Sequence, residues 1–313
     1  HWIMCAAQPH EHQISFYSST DLINWKHLSD FGPAAAQDGV WECPDLFPLY
    51  LNKKEVWVLI VSLNPGGLYG SGTQYFIGDF DGTTFVPRYS TDKPRWLDFG
   101  KDNYAGVTFS NEPNGKRILI GWLANWTDVK NHPETSWTTQ MTIPRELGLM
   151  NYKKEIVLTQ KPLCDTSYEL KVKTPESGVI GLKGFAKIGY NADKKVVFVN
   201  EFEASYTPTT DELHLKIVVD RSSIELFTGD GVRSSGPRPG RRVQEQAASG
   251  DRDPQLRRGD QAAQVLSGRG RQLRRRAGGA DGLGELRRDR EGVRDADEVL
   301  EGRLQERLRQ QDL

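Results

Sequence analysis

Apolar and polar positions alternate in short runs along most of the chain, and turn residues close each run. "QISFYSSTDLINWKHL" (13–28) reads as a strand, a polar turn and the start of a second strand. "EVWVLIVSLNPGG" (55–67) is a strand apolar on both faces, ended by a Pro-Gly-Gly breaker. "TQYFIGDFDGTTFVP" (73–87) sets two alternating runs around Asp81-Gly82, a hairpin signal, and "NEPNGKRILIGWLANW" (111–126) repeats it around Asn114-Gly115. No 11-residue helical period occurs before residue 160. Hairpins at this spacing, with no helices between them, predict an all-β propeller, barrel or sandwich. Beyond "LTQKP" (158–162) the alternation resumes in "SYELKVKT", "VVFVNEFEA" and "ELHLKIVVDRSSIELF", which predicts a second all-β unit of sandwich type.

The pattern fails near residue 229. From there to residue 313 only ten residue types occur, dominated by Arg, Gly, Asp, Glu, Gln, Ala and Leu, and arginine replaces lysine as the only base. So abrupt a change in mid-strand resembles translation in another reading frame, and residues 232–313 are expected to be disordered or loosely helical. A basic arm for nucleic acid is the other reading, but Asp and Glu interrupt the arginines throughout.

Composition adds limits. The 313 residues carry a net charge of -1, which gives no general attraction to nucleic acid or membrane. No stretch approaches the roughly 20 apolar residues of a membrane span. The three cysteines, Cys5, Cys43 and Cys164, form neither a metal pattern nor a disulfide framework. The opening "HWIMCAAQ" reads as mid-strand, with no initiator Met and no signal peptide, so the natural N-terminus is expected to lie further upstream.

One residue stands against the pattern. In "VWECPDLFPL" (40–49) an ionisable carboxylate, Glu42, interrupts an apolar run. Read alone, such a glutamate is either an edge or ion-paired residue or a catalytic group. Cys43 reads as a small packed residue beside it, and Asp45, alternating with Cys43, as structural.

"SSTDLINW", "WECPDLF", "GDFDGTTF", "DFGKDNYAGVTF", "GWLANW" and "IPREL" occur in the order found in glycoside hydrolase family 32, which includes invertases, inulinases, levanases and fructosyltransferases. "VDRSSIELF" resembles a strand of that family's C-terminal sandwich. The resemblance covers about residues 1 to 230. It implies a five-bladed β-propeller over 1–162, incomplete because the first blade and part of the second are missing, and a partial β-sandwich over 163–231.

The resemblance also implies chemistry. Glu42 matches the family's general acid/base, which protonates the departing glycosidic oxygen and then deprotonates the attacking water. Asp98 and Lys101, in "DFGKD", match a pair beside the leaving sugar, the carboxylate accepting hydroxyl hydrogen bonds and the ammonium holding it; a turn with a surface ion pair is the other reading. Trp126 resembles a tryptophan lining the fructose subsite, Trp122 lies an even number of positions away, and Tyr104 and Arg145 are further pocket candidates. "NWT" at Asn125 is a formal glycosylation sequon beside that pocket.

The implied substrate is sucrose, inulin or levan, with no metal or organic cofactor, and the implied setting is secreted or vacuolar. Fructosyl transfer on the same scaffold and an inactive sugar-binding remnant are the alternatives. The family's nucleophile motif, Asn-Asp-Pro-Asn-Gly-like, and its Arg-Asp-Pro motif are both absent ahead of Glu42. Arg252-Asp253-Pro254 falls in the anomalous tail and is read as chance.

Overall fold

The computed structural model describes residues 1–131, 138–173, 176–182, 186–220, 222–235, 263–265 and 273–277. Among the described residues the elements are almost entirely antiparallel strands, with one 3-10 turn at Val129–Asn131. The first sheet holds β1 (Trp2–Gln8), β2 (Gln13–Ser19) and β3 (Lys26–Phe31). The second holds β4 (Val40–Leu51), β5 (Lys54–Gly67), β6 (Gly70–Phe80) and β7 (Phe85–Pro87). The third holds β8 (Tyr104–Thr108), β9 (Arg117–Trp122), β10 (Arg145–Tyr152) and β11 (Glu155–Pro162). Each is a simple meander in which neighbours in sequence are neighbours in the sheet.

Side-chain alternation explains how the three sheets stack. Leu59, Val61 and Leu63 of β5 join Ile14, Phe16, Phe31 and Trp41 between the first and second sheets. Val56, Val58 and Ile60 of the same strand join Phe47, Tyr75, Leu119 and Leu147 between the second and third. A strand covered on both faces reads as an unbroken apolar run, as "VWVLIV" does. Each fully buried large side chain there contributes about 1.5–3 kcal/mol of transfer free energy.

The turns form where the sequence marks them. Asp81 Oδ1 accepts from the backbone N–H groups of Thr83 and Thr84, both at 2.7 Å, and closes the β6–β7 hairpin. Glu112 does the same work beside Asn114-Gly115, accepting from the N–H of Asn114 at 2.8 Å and of Lys116 at 2.7 Å. The Pro-Gly-Gly breaker acts differently from expectation. β5 continues through Pro65 to Gly67 by a register shift after Leu63, and the turn falls at Leu68-Tyr69. Gly66 makes this possible: its φ is +112°, and a Cβ there would collide with the carbonyl oxygen of Asp38.

After Pro162 the chain enters two facing sheets. One has the order β19 (Ser234–Ser235), β18 (Ile224–Thr228), β17 (Glu212–Val219), β12 (Thr166–Lys173), β21 (Leu273–Ala277). The other has the order β16 (Phe202–Ser205), β15 (Val196–Val199), β14 (Ala186–Asn191), β13 (Gly178–Leu182), β20 (Ala263–Val265). Leu170, Leu213, Leu215, Ile217 and Leu226 of the first pack on Ile180, Ile188, Val197 and Val199 of the second. The tail expected to be disordered or weakly helical contributes, among the described residues, three short edge strands, β19, β20 and β21. Its other residues beyond Ser235, including Arg252-Asp253-Pro254, lie outside the described ones.

Candidate active site

β4 is irregular at the residues that carry the chemistry. Glu42 pairs with Ser62 and Asp45 with Ile60, so Cys43 and Pro44 together face one partner residue. Cys43 takes a positive φ of 47° and its side chain is exposed, not packed as the sequence suggested. A bulge of this kind re-aims the side chains around it. Without it, Glu42 and Asp45 would project from opposite faces; with it, both project toward the third sheet.

β8 has a matching irregularity. Its register shifts between Tyr104 and Val107, and Ala105 has a φ of 50°. The two distorted strands then meet through side chains. Tyr104 donates its hydroxyl hydrogen to Oε2 of Glu42. Four residues on, Thr108 donates to Asp45 Oδ2 from its backbone N–H at 2.8 Å and its hydroxyl at 2.6 Å. Tyr104 is buried and Glu42 half-buried. Burial, then the hydrogen bond to Glu42 and that carboxylate's charge, push the Tyr104 phenol well above the ordinary tyrosine range, so it stays a donor.

Aromatic rings lead outward from this pair. Trp122, paired with Tyr104 across the β8–β9 ladder, sits edge-on to it with ring centroids 6.3 Å apart. Trp126 follows at 5.1 Å from Trp122 and is 52 % exposed. Trp122 is fixed by donating Nε1–H to Thr139 Oγ1 at 2.8 Å, and the backbone of Trp126 is fixed by Ser71 Oγ at 3.1 Å. Asn125 ties the two supporting loops together. Its Oδ1 accepts from the N–H groups of Ser71 and Thr127, and its Nδ2 donates to the carbonyls of Tyr69 and Lys101. Asn125 is fully buried, so the sequon it begins has no free amide to modify.

Asp98 and Lys101 do not pair with each other. Lys101 is ion-paired with Asp128, which the sequence reading missed. Asp98 is held instead by Arg145, whose Nη1 lies 2.7 Å from Asp98 Oδ2; Gly100 N–H, at 2.8 Å, and Asn103 Nδ2, at 3.3 Å, also donate to it. Arg145 has no exposed surface and reaches Glu225 of β18 through Nη2 at 2.7 Å and Gln160 Oε1 through Nη1 at 2.8 Å. A planar guanidinium presents five N–H donors in a rigid fork, which holds two carboxylates in one fixed geometry. Neither Glu225 nor Gln160 was legible as part of this cluster, because both sit in ordinary alternating strands.

The described residues contain no cluster of three potential metal ligands, and no described helix is long and apolar enough to cross a membrane.

Three stacked antiparallel meanders, a facing pair of sheets and a carboxylate on a bulge, hydrogen-bonded to a tyrosine whose ring meets Trp122 and through it the exposed Trp126, make up an all-β architecture. The chain belongs to glycosyl hydrolase family 32: it matches the family's N-terminal domain over residues 1–162 and its C-terminal domain over residues 149–235. It is 32 % identical over 300 residues to the extracellular exo-inulinase of Aspergillus niger, covering 74 % of this chain and 56 % of that protein. It is 30 % identical over 292 residues to the levanase of Bacillus subtilis, covering 74 % of this chain and 43 % of that protein. The crystal structure of exo-inulinase from Aspergillus awamori superposes with a TM-score of 0.73 at 27 % identity, covering 88 % of this chain and 63 % of that one. The chain spans about half the length of the curated relatives it matches.

Proposed function

We propose that this chain carries the acid/base half of a retaining glycosidase that cleaves terminal β-D-fructofuranosyl linkages in sucrose, inulin or levan. In this reading the three meanders are blades of a five-bladed propeller that the sequence contains only in part. Glu42 is the acid/base, Tyr104 holds its carboxylate, and Trp122 with Trp126 offers apolar ring faces to the C–H surfaces of a sugar. Lys101, braced by Asp128, is the cation beside the leaving group, and Asp98 shapes the loop that presents it. The extracellular setting of the Aspergillus relatives supports secretion.

The observation that carries the reading is the seat of Glu42. A distorted strand turns its carboxylate toward a buried phenol, while an aromatic path runs from that phenol to the surface. General acid–base assistance is typically worth about 10²- to 10⁴-fold. The test uses this chain joined to a family 32 segment bearing the nucleophile motif. There, Glu42→Gln should lower sucrose hydrolysis by about that factor. It should cost far less on an aryl fructoside, whose leaving group needs little protonation. Equal losses on both substrates would make Glu42 structural. Product analysis at high sucrose separates water from sugar as the acceptor.

A further inference from the structure

We propose that Glu225, carried by the sandwich, is a positioning residue for the Tyr104–Glu42 pair, acting through Arg145 and the segments Arg145 and Asp98 anchor. The inference rests on the assignment of Glu42 given above and extends the site into a domain that holds none of its reacting groups.

Two routes connect Glu225 to the pair. Along the first, Glu225 Oε2 accepts from Arg145 Nη2 at 2.7 Å, and Arg145 Nη1 meets Asp98 Oδ2 at 2.7 Å. Asp98 in turn accepts from Gly100 N–H and from Asn103 Nδ2, which fixes the loop directly ahead of Tyr104. Asn103 is lodged so closely over Gly121 that a Cβ on that glycine would strike its Oδ1. Along the second, Glu225 Oε1 accepts the backbone N–H of Ile143 at 2.8 Å. That anchors the segment in which Thr142 exchanges bonds with Gly121 at 2.9 and 3.0 Å and Thr139 holds the Trp122 ring. Ser222, three residues before Glu225, adds a bond to Gln140 Oε1 at 2.7 Å. Both routes end on Tyr104 and on Trp122, its partner across the ladder.

Stability alone does not explain such a cluster. The side chains of Arg145, Asp98 and Glu225 are 0 %, 4 % and 3 % exposed. A buried ion cluster contributes little more than apolar residues of the same volume would, because desolvation offsets the attraction. What it does supply is a fixed geometry, since each charge tolerates few arrangements of its neighbours. Here that geometry sets the height and tilt of the loop from Asp98 to Tyr104.

The test is made on the full chain labelled with [¹³Cζ]tyrosine, with the Tyr104 signal assigned by its loss in Tyr104→Phe. Glu225→Gln keeps the shape of the side chain and removes its charge. The expected result is a displaced Tyr104 signal, while the signal of the exposed Tyr50 stays in place. A folded Glu225→Gln protein with an unmoved Tyr104 signal would overturn the proposal. If Glu225→Gln does not fold, Glu225→Asp carries the test, because it keeps the charge and withdraws it by one methylene; the same displacement, smaller, is expected, and an unmoved Tyr104 overturns the proposal. The readout needs no turnover. Failure of the chain to bind fructans would therefore sink the proposed function while leaving this inference standing, and an unmoved Tyr104 would do the reverse.

Discussion

Tyr104 and Glu42, 62 residues apart, are brought into a hydrogen bond by two bulges that face each other across neighbouring sheets. In a regular β4, Glu42 and Asp45 would project to opposite faces, so the bond depends on the bulge at Cys43-Pro44. Tyr104→Phe should leave the ring packing intact and remove only the donor. A hydrogen bond to a charged group contributes about 1.5–3 kcal/mol. A drop in stability within that range, read from the urea midpoint, is the expected outcome. A change indistinguishable from zero would show that water replaces the phenol at Glu42 without loss.

Buried phenols should make the fold sensitive to alkali, Tyr104 and Tyr206 foremost among them. Tyr104 is raised by burial and by Glu42; Tyr206 is raised by burial and by its hydrogen bond to Asp230 at 2.5 Å. Both lie above the ordinary value of about 10 that they regain on unfolding. Below that value folded and unfolded chains are equally protonated at these sites, and the stabilisation is fully present. Above it the unfolded chain loses protons that the folded chain keeps, so stability falls as pH rises. Urea midpoints measured between pH 9 and 11 should decline, and Tyr206→Phe should flatten the decline.

Much of the fold was legible because alternation and turn chemistry agree. Asp81-Gly82, Asn114-Gly115 and the doubly apolar run of β5 each formed the element they announce. The seat of Glu42 was less legible. A bulge adds one residue and leaves no mark in the hydrophobic pattern, so simple alternation aligns Asp45 with Cys43, whereas the fold puts it on the face of Glu42. The partner of Asp98 was missed for a related reason. Lys101 is near in sequence, but Arg145 and Glu225 reach the site from other strands, and only tertiary packing brings them there. The Pro-Gly-Gly run misled because its glycines serve a close approach to Asp38, and β5 runs on through them.

The sequon at Asn125 should stay unmodified. Its amide is fully buried and spans the loops that carry Ser71, Thr127 and Lys101. Expression through a glycosylating secretory host, followed by peptide mass spectrometry, should show no glycan at Asn125. Asn125→Ala should lower the urea midpoint, since it leaves the Ser71 and Thr127 N–H groups without that acceptor, at about 1–3 kcal/mol for an unsatisfied buried group. A glycan at full occupancy would mean that these loops are not assembled before the chain is modified.

The chain of 313 residues, purified away from host invertase, is expected to bind fructans without turning them over. A retaining glycosidase needs a second carboxylate about 5 to 5.5 Å from its acid to form the glycosyl-enzyme intermediate. The family's nucleophile motif is absent from the sequence, so a substitute would have to come from nearby aspartates. Asp45 shares a face with Glu42 but is engaged by Thr108, and Asp98 and Asp102 of the pocket segment are both buried, at 8 % and 2 % exposure. Asp98 is neutralised by Arg145. An attacking carboxylate has to reach the anomeric carbon, and neither of these can do so without leaving its buried seat. Quenching of Trp122 and Trp126 fluorescence by levan or inulin fragments should therefore saturate while no fructose is released. Robust fructose release, abolished by Asp102→Asn and retained in Asp98→Asn, would mean that Asp102 leaves its buried position and serves as the nucleophile.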